Sequence, residues 1–246
     1  MMRDMHVHTT FCDGNNSPEE MVRAAIQKGM TEIGFTAHSY TFFDESYCMK
    51  KEDTAAYQAE IRRLQQCYGD KIRIRLGIEQ DYYSDMPTDA YEYIIGSVHY
   101  VKVGNEYMPM DDPPFEENVE KYFGGDYYAL AEAYFGAVAD VVNKTGCQII
   151  GHLDLLTKFN EGGKLFDENH PRYVAAWQRA VDALLPHRIP FEINMGAISR
   201  GYRTTPYPSA PIRAYIKANG GKLMLSGDAH SADGLCYLFE EYEGAL

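Results

Sequence analysis

Histidines stand at the ends of strand-like segments along this chain, and this placement restricts the fold more than any other feature. The first pair lies in Asp4-Met5-His6-Val7-His8, where two histidines separated by one residue project from the same face of an extended strand. Two imidazoles that converge from one strand end are a natural beginning of a metal site. An H-x-H pair also occurs often by chance, so the other ligands must come from the rest of the chain.

Strand-like and helix-like segments alternate over the 246 residues, which predicts βα units around a parallel sheet. Seven strands are predicted, at residues 1–8, 32–36, 72–78, 93–98, 147–151, 190–193 and 223–226. A capping box in Ser17-Pro18-Glu19-Glu20 indicates the start of the first helix. Residues 101–114 are predicted as a loop or hairpin, followed by helical sequence over 115–144 with an interruption at Gly124-Gly125.

No linker divides these segments, so we expect one α/β barrel domain over residues 1–246. Residues 238–242 resemble a helix that is cut short, which indicates a C-terminus that lacks a few residues. The chain does not open with a basic segment followed by an apolar one, which predicts no secretory signal.

Composition narrows the functional classes. The formal net charge of −13 argues against a broad nucleic-acid-binding face but allows a small phosphorylated substrate. No apolar run approaches the roughly 18 residues that a membrane span needs. The five cysteines are widely spaced and form no C-x-x-C, which is typical of reduced thiols in a cytoplasmic protein.

Side chains that ligate metals collect at the predicted strand ends. Six of the eight histidines lie on or just after a strand, and two carboxylates join them. The set comprises His6, His8, His38, Glu79, His99, His152, Asp228 and His230. Each residue alone could be a core or turn residue, but barrels bring their strand ends together at one face. Burying so many imidazoles and carboxylates without a partner is unfavourable, and this predicts a multinuclear metal centre.

The motifs that contain these residues resemble the PHP (polymerase and histidinol phosphatase) superfamily over nearly the whole chain. They are Asp4-Met5-His6-Val7-His8, Thr36-Ala37-His38, Gly77-Ile78-Glu79, Gly96-Ser97-Val98-His99, Gly151-His152-Leu153-Asp154 and Gly227-Asp228-Ala229-His230. Their order is most similar to the histidinol-phosphatase branch, as is Phe191-Glu192-Ile193-Asn194. The resemblance implies a distorted seven-stranded (β/α)7 TIM-like barrel of the PHP type.

The resemblance also implies two to three divalent metal ions. The ligands of the first metal would be His6, His8, Glu79 and Asp228. The ligands of the second would be Glu79, His99 and His152, so that Glu79 bridges the two. Zinc, manganese and iron are all open, because sites built from imidazole and carboxylate accept each of them.

A third metal would be held by His38, His230 and a residue from the loop after the first strand. Many relatives place a histidine where this chain has Gly14, and relatives with an Asp-Gly loop have the acid one residue earlier. The prediction for this ligand is therefore Asp13.

Clustered divalent metals suit the hydrolysis of phosphate esters, in which a hydroxide that bridges the metals attacks phosphorus in line. Asp228 is predicted to orient the hydroxide, and His230 or Asp13 to assist proton transfer to the leaving group. Three basic residues near the strand ends are candidates to bind phosphate: Lys158, Arg200 and Arg203. Arg200 is also predicted to be catalytic.

The leading hypothesis is a phosphomonoesterase that acts on histidinol phosphate in histidine biosynthesis. An acidic rim with tyrosines would suit the cationic substrate, and the candidates are Tyr40, Tyr47, Tyr82, Tyr83 and Tyr100. One alternative is a PHP phosphoesterase that acts on nucleotides or oligonucleotides. A metal-dependent amidohydrolase would need a bridging lysine that no strand end offers, and a non-catalytic metal-binding barrel is a further alternative.

Overall fold

A computed structural model describes residues 2–246, so the part of the first predicted strand at Met1 lies outside the described residues. The strands are β1 (Arg3–Val7), β2 (Glu32–Phe35), β3 (Arg73–Asp81), β4 (Tyr93–Ser97), β5 (Tyr100–Val103), β6 (Glu106–Pro109), β7 (Ile149–Ile150), β8 (Pro190–Asn194) and β9 (Lys222–Ser226). The α-helices are α1 (Pro18–Gln27), α2 (Thr54–Tyr68), α3 (Phe115–Phe123), α4 (Tyr127–Thr145), α5 (Pro171–Leu184), α6 (Gly196–Ser199), α7 (Ala210–Ala218) and α8 (Phe239–Tyr242).

Seven strands form one parallel sheet in the order β1-β2-β3-β4-β7-β8-β9. A parallel bridge between Val7 and Ala229 joins the first strand to the end of the last, so the sheet curls into a nearly closed barrel. The prediction of a distorted (β/α)7 barrel is confirmed. One βα unit lacks its helix, since a loop without an α-helix connects β3 to β4.

The region predicted as a loop or hairpin is an antiparallel hairpin of β5 and β6, which lies outside the barrel sheet. It follows His99 directly, and therefore lies beside the end of β4. Helices α3 and α4 come next and are separated near Gly124, whose φ of 57° ends α3 in a left-handed cap. Asp126 then accepts hydrogen bonds from the N–H groups of Tyr128 and Ala129 and starts α4.

The first helix begins as its sequence predicts. The Ser17 side chain accepts from the Glu20 N–H, and the Glu20 carboxylate accepts from the Ser17 N–H at 2.8 Å. The buried face of the helix includes Met21, Val22 and Ala25, which pack in the main apolar core. The packed helix therefore holds the C-terminal end of the loop that contains Asp13.

Strand β3 continues three residues beyond its predicted end at Ile78. The extension places Glu79 inside the strand, where it pairs with Ile95 of β4. A prediction from apolar periodicity ends a strand at the first polar residue. In the structure, however, Asp81 is buried and its carboxylate accepts from the N–H groups of Tyr83 and His99. Satisfied polar side chains therefore prolong a strand that an apolar pattern ends early.

Below the strand ends, the barrel interior is closed by a small apolar cluster. Tyr93, Ile95 and Ile149 are buried there, and Met5 and Met224 pack against them. The Tyr93 hydroxyl donates to the Met5 carbonyl at 2.8 Å, which satisfies the one polar group of this ring. The candidate metal ligands lie beyond this apolar cluster, at the carboxyl ends of the strands. No helix among residues 2–246 combines the length and the apolar character that crossing a membrane requires.

Candidate metal centre

All nine predicted metal ligands meet at the carboxyl ends of the barrel strands. The donor atoms form three groups, and within each group they all lie within 4.8 Å of one another. The groups are His6 with His8 and Asp228; His38 with Glu79 and His99; and His8 with Asp13, His38 and His230. The remaining residue, His152, joins the second group, with its Nε2 at 3.2 Å from Nε2 of His99.

Glu79 lies between two sets of imidazoles, and its two carboxylate oxygens face different sets. Oε2 lies 3.3 Å from Nε2 of His6 and 3.5 Å from Nε2 of His8. Oε1 lies 3.1 Å from Nε2 of His152 and 3.5 Å from Nε2 of His99, and it accepts from the Ser97 hydroxyl at 2.6 Å. This arrangement has the form that a carboxylate bridging two metal ions requires.

Asp228 completes the set around His6 and His8. Its Oδ1 lies 3.2 Å from Nε2 of His8 and 3.8 Å from Nε2 of His6. The backbone of Asp228 has φ of 46°, a left-handed conformation that is unfavourable for a residue with a side chain. It is held there because the next residue, Ala229, donates to the His6 carbonyl and accepts from the His8 N–H.

The third group depends on a tight turn after β1. The Thr9 carbonyl accepts from the N–H groups of Cys12 and Gly14, which turns the chain so that Asp13 points back to the site. The Asp13 carboxylate lies 3.6 Å from Nε2 of His38 and 3.2 Å from Nε2 of His230. A Cβ at position 14 would lie 2.4 Å from the Thr9 nitrogen, so this turn excludes a histidine there.

Several of these donor atoms have no hydrogen-bond partner among residues 2–246 although they are buried. They include Nε2 of His6 and Nε2 of His8, which lie 3.3 and 3.5 Å from Oε2 of Glu79. Buried polar atoms are nearly always satisfied, so two such nitrogens beside the same carboxylate oxygen indicate a missing partner. Two imidazole nitrogens and a carboxylate oxygen suit a divalent cation. The residues present therefore fit the metals that the sequence motifs imply.

The three carboxylates of the site are held in their ionised form, which is the form that binds metal. Burial opposes ionisation of Asp13, but His38 and His230 hold its pKa well below its usual range. Burial opposes ionisation of Glu79, but His6, His38 and His99 hold its pKa well below its usual range. Burial likewise opposes ionisation of Asp228, and the Arg200 guanidinium leads the charges that lower its pKa well below the usual range.

One imidazole is held neutral, as a metal ligand must be. Burial is the main reason that the pKa of His8 lies well below its usual range, and the neighbouring rings of His230 and His38 add to the effect. These rings stack on His8 with centroids at 4.1 and 4.2 Å.

A cavity of about 190 Å³ opens above the donor atoms. Its wall combines acidic, basic and aromatic side chains, and it is lined by Asp13, His38, Tyr47, His99, Tyr100, Asp111, Asp112, His152, Leu155, Lys158, Arg200, Tyr202, Asp228 and His230. Two of the three predicted phosphate-binding residues therefore reach it.

Arg200 and Lys158 line the cavity in different ways. The Arg200 guanidinium contacts the His230 ring and lies 3.5 Å from Oδ2 of Asp228, so it borders the metal ligands directly. The Lys158 ammonium donates to the Asp111 carbonyl at 2.8 Å and lies 3.3 Å from the Asp111 carboxylate. It also lies 4.5 Å from the centre of the Tyr202 ring.

Arg203 does not reach this cavity, which corrects its prediction as a phosphate ligand. It is buried and its guanidinium donates to the backbone and side chain of Thr157 and to the Thr205 hydroxyl. These bonds join the loop after β7 to the loop after α6. Sequence position near a strand end does not reveal which way a side chain points, and here Arg203 points away from the site.

Only two of the five predicted rim tyrosines, Tyr47 and Tyr100, line the cavity. The other three lie outside its wall: Tyr40 donates to Glu45, Tyr82 donates to Asp140, and Tyr83 accepts from the Lys102 N–H.

Sequence reasoning missed several residues that contact the ligands or line the cavity. Asp81 lies 3.1 Å from Nδ1 of His99, and Glu192 lies 2.7 Å from Nδ1 of His6. Asp111 and Asp112 line the cavity from the loop after β6. A signal existed for Glu192, because an acidic residue inside a buried strand needs a partner. Nothing in the local sequence distinguishes Asp111 from other loop acids.

Comparison with known proteins identifies the relatives of this arrangement. Proteins named "Probable histidinol-phosphatase" from Deinococcus radiodurans and Schizosaccharomyces pombe are 30% and 28% identical to this chain. The first match covers 97% of this chain and 90% of the relative, and the second covers 92% and 79%.

Solved structures share the fold at lower identity. A candidate histidinol phosphatase from Listeria monocytogenes has a TM-score of 0.82 at 19% identity, covering 98% of this chain and 99% of the other. The histidinol phosphate phosphatase of Lactococcus lactis, solved with zinc, L-histidinol and phosphate, has a TM-score of 0.72 at 23% identity, covering 99% and 93%. The PHP domain model matches residues 4–196, and the chain therefore belongs to the PHP domain family.

Proposed function

We propose that this chain is a metal-dependent phosphatase that hydrolyses histidinol phosphate to histidinol and phosphate. The observation that carries the proposal is the position of Glu79, whose two oxygens face two separate sets of imidazoles. The relatives named as histidinol phosphatases, which match over nearly the full chain, support this substrate. The proposal gives one catalytic domain over residues 1–246, because the first and last barrel strands complete the same ligand set.

The proposed metal content is two to three divalent ions. The first would be bound by His6, His8, Glu79 and Asp228, the second by Glu79, His99 and His152, and the third by Asp13, His38 and His230. Bound divalent ions would supply an activated water molecule and would neutralise the phosphoryl oxygens. Zinc, manganese or iron would suit the nitrogen and oxygen donors, and zinc is supported by its presence in the Lactococcus lactis structure.

The side chains around the metal sites would bind the phosphate, orient the attacking water and transfer a proton. Arg200 borders Asp228 and His230 and would bind a phosphoryl oxygen with its guanidinium fork. Lys158 also lines the cavity and would contribute a second positive charge. Asp228 would orient the attacking water, and His230 or Asp13 would pass a proton to the leaving alcohol.

The rim of the cavity suits a substrate with a cationic end. Asp111 and Asp112 line one side, and Asp111 already holds a cation, the Lys158 ammonium. Tyr47 and Tyr100 line the cavity nearby and could cover an imidazole ring. A free phosphate group alone would not require these acidic residues.

Steady-state kinetics with the zinc-loaded protein tests this assignment. We expect kcat/KM for histidinol phosphate to exceed that for p-nitrophenyl phosphate by about 10- to 100-fold, since one contact to a charged group contributes about 1.5–3 kcal/mol. Nucleoside monophosphates and short DNA serve as competing substrates. Equal turnover of histidinol phosphate and the aryl phosphate would contradict the specific substrate.

The same panel separates the alternative functions. Faster hydrolysis of nucleotides or DNA would assign a nucleotide phosphoesterase, which the net charge of −13 disfavours. Metal binding without hydrolysis of any phosphoester would assign a non-catalytic barrel. An amidohydrolase is disfavoured because Glu79, and not a lysine, lies between the ligand sets.

We place the enzyme in the cytoplasm. All five cysteines are free, and Cys48 and Cys147 are buried. Free thiols are the usual state in a reducing compartment.

A further inference from the structure

We infer that Glu192 is a positioning residue that holds ligands of two metal sites with one carboxylate. The inference rests on the metal centre of the proposed function. Glu192 lies in β8, is 1% exposed and belongs to none of the three donor groups. Its role follows from the donors that surround it.

The Glu192 carboxylate is surrounded by four hydrogen-bond donors. Oε1 lies 2.7 Å from Nδ1 of His6 and accepts from the Ser226 hydroxyl at 2.7 Å. Oε2 accepts from the His152 backbone N–H at 3.1 Å and from Nδ2 of Asn194 at 3.0 Å. An ionised carboxylate offers about four lone-pair positions, and all of them are occupied here. Glu192 therefore has no free position for a metal and acts through its neighbours.

The contact with His6 determines which ring nitrogen faces the site. A carboxylate beside Nδ1 favours a proton on that nitrogen and leaves the lone pair on Nε2. Nε2 of His6 lies 3.3 Å from Glu79 and has no hydrogen-bond partner among residues 2–246. Glu192 thereby presents His6 to the first metal in its ligand form.

The contact with His152 compensates for a short strand. Strand β7 has only two residues, and its register with β8 consists of one pair, Ile150 and Phe191. The ladder ends before His152, so its backbone N–H has no strand partner. Oε2 of Glu192 takes this N–H and fixes the backbone that carries the His152 ring toward Glu79.

Glu192→Gln tests the inference because it keeps the shape and removes the charge. If the new amide NH₂ faces His6, the ring must carry its proton on Nε2 and loses the lone pair for metal. If the NH₂ faces His152, this donor is placed against two other donors, the His152 backbone N–H and Nδ2 of Asn194, and both lose their acceptor. Asn194 cannot simply rotate, because its Oδ1 accepts from the Gly196 N–H at 2.9 Å. Either arrangement disturbs one ligand.

We expect Glu192→Gln to weaken zinc binding by about 10- to 100-fold at one site or more, measured by competition with a chromophoric chelator without substrate. The matched control is Glu32→Gln. Glu32 is also a largely buried strand carboxylate, but it pairs with Arg75 at the opposite end of the barrel. The control is expected to bind zinc within twofold of the wild type, although its melting temperature falls.

A Glu192→Gln variant that binds zinc like the wild type overturns the inference, even if its melting temperature falls. A second measurement does not depend on the variant folding: histidine side-chain ¹H–¹⁵N NMR of the zinc-loaded wild type. We expect His6 to carry its proton on Nδ1, and a proton on Nε2 would overturn the inference. Zinc binding without hydrolysis of histidinol phosphate contradicts the proposed function alone. A wild type that binds no zinc overturns both.

Discussion

Alanine at position 196 is expected to displace the carboxylate of Asp228 and to damage the first ligand set. A Cβ at Gly196 would lie 2.4 Å from Oδ2 of Asp228 and 2.9 Å from its Cβ, whereas ordinary contact begins at 3.4 Å. Rotation of the Asp228 side chain alone cannot relieve both contacts. The segments must separate by about 0.5 Å even if the carboxylate rotates away, and by about 1 Å if it does not. A displacement of about 1 Å can reduce catalysis by about 100-fold.

The surrounding structure resists this movement. The backbone after Asp228 is tied to β1 by two hydrogen bonds, from Ala229 to the His6 carbonyl and from His8 to the Ala229 carbonyl. Metal–ligand distances tolerate only about ±0.2 Å, so a shift of Asp228 by several times that amount removes it as an effective ligand. Inserting one carbon into a packed site destabilises a protein by about 1–3 kcal/mol, which lowers Tm by roughly 2–10 °C for a chain of this size.

The assay is kcat/KM for histidinol phosphate and zinc affinity for Gly196→Ala, with Gly136→Ala as the matched control. Gly136 is exposed in α4, and a Cβ there would meet nothing within 4 Å. Alanine at position 136 should leave both values unchanged and should stabilise the helix by up to about 1 kcal/mol. If Gly196→Ala retains zinc affinity and kcat/KM within threefold of the wild type, the steric reasoning is refuted.

Two further predictions concern the third ligand group and the basic residues. Asp13→Ala is expected to lower the zinc content measured by elemental analysis by about one ion per chain, because a site rarely survives on fewer than three protein ligands; an unchanged metal content would exclude Asp13 as a ligand. Arg200→Ala is expected to lower kcat/KM by about 10- to 100-fold through the loss of a charge-assisted hydrogen bond. Arg203→Ala should leave kcat/KM within threefold but lower Tm in thermal unfolding, because the Arg203 guanidinium donates to Thr157 and Thr205 and lies 3.6 Å from the Glu161 carboxylate, away from the cavity. A larger loss of kcat/KM for Arg203→Ala than for Arg200→Ala would contradict the cavity geometry.

Local sequence patterns were sufficient to predict βα units around a parallel sheet, and the resemblance of the motifs to the PHP superfamily implied the distorted seven-stranded barrel. The alternation of apolar strands with capped amphipathic helices depends on interactions between residues a few positions apart, such as the Ser17–Glu20 capping box. The ligand histidines could be predicted for a related reason. A parallel barrel brings every strand end to one face, so a residue's place at a strand end determines its approximate location.

Side-chain direction could not be predicted in this way. Arg200 and Arg203 are three residues apart in the same loop, yet one reaches the cavity and the other binds Thr157. The extension of β3 through Asp81 was missed for a similar reason. Its carboxylate is satisfied by His99, a residue 18 positions away.

The sequence by itself predicted the barrel architecture, the family and the set of candidate metal ligands, because these depend on periodicity and on motifs that are local in the chain. The tertiary structure alone decided how the ligands are oriented. Glu79 directs one oxygen to each set of imidazoles, the Asp13 carboxylate lies beside His38 and His230, and Glu192 joins His6 to His152. These relations connect residues up to 186 positions apart, and only the closed barrel brings them within hydrogen-bond distance.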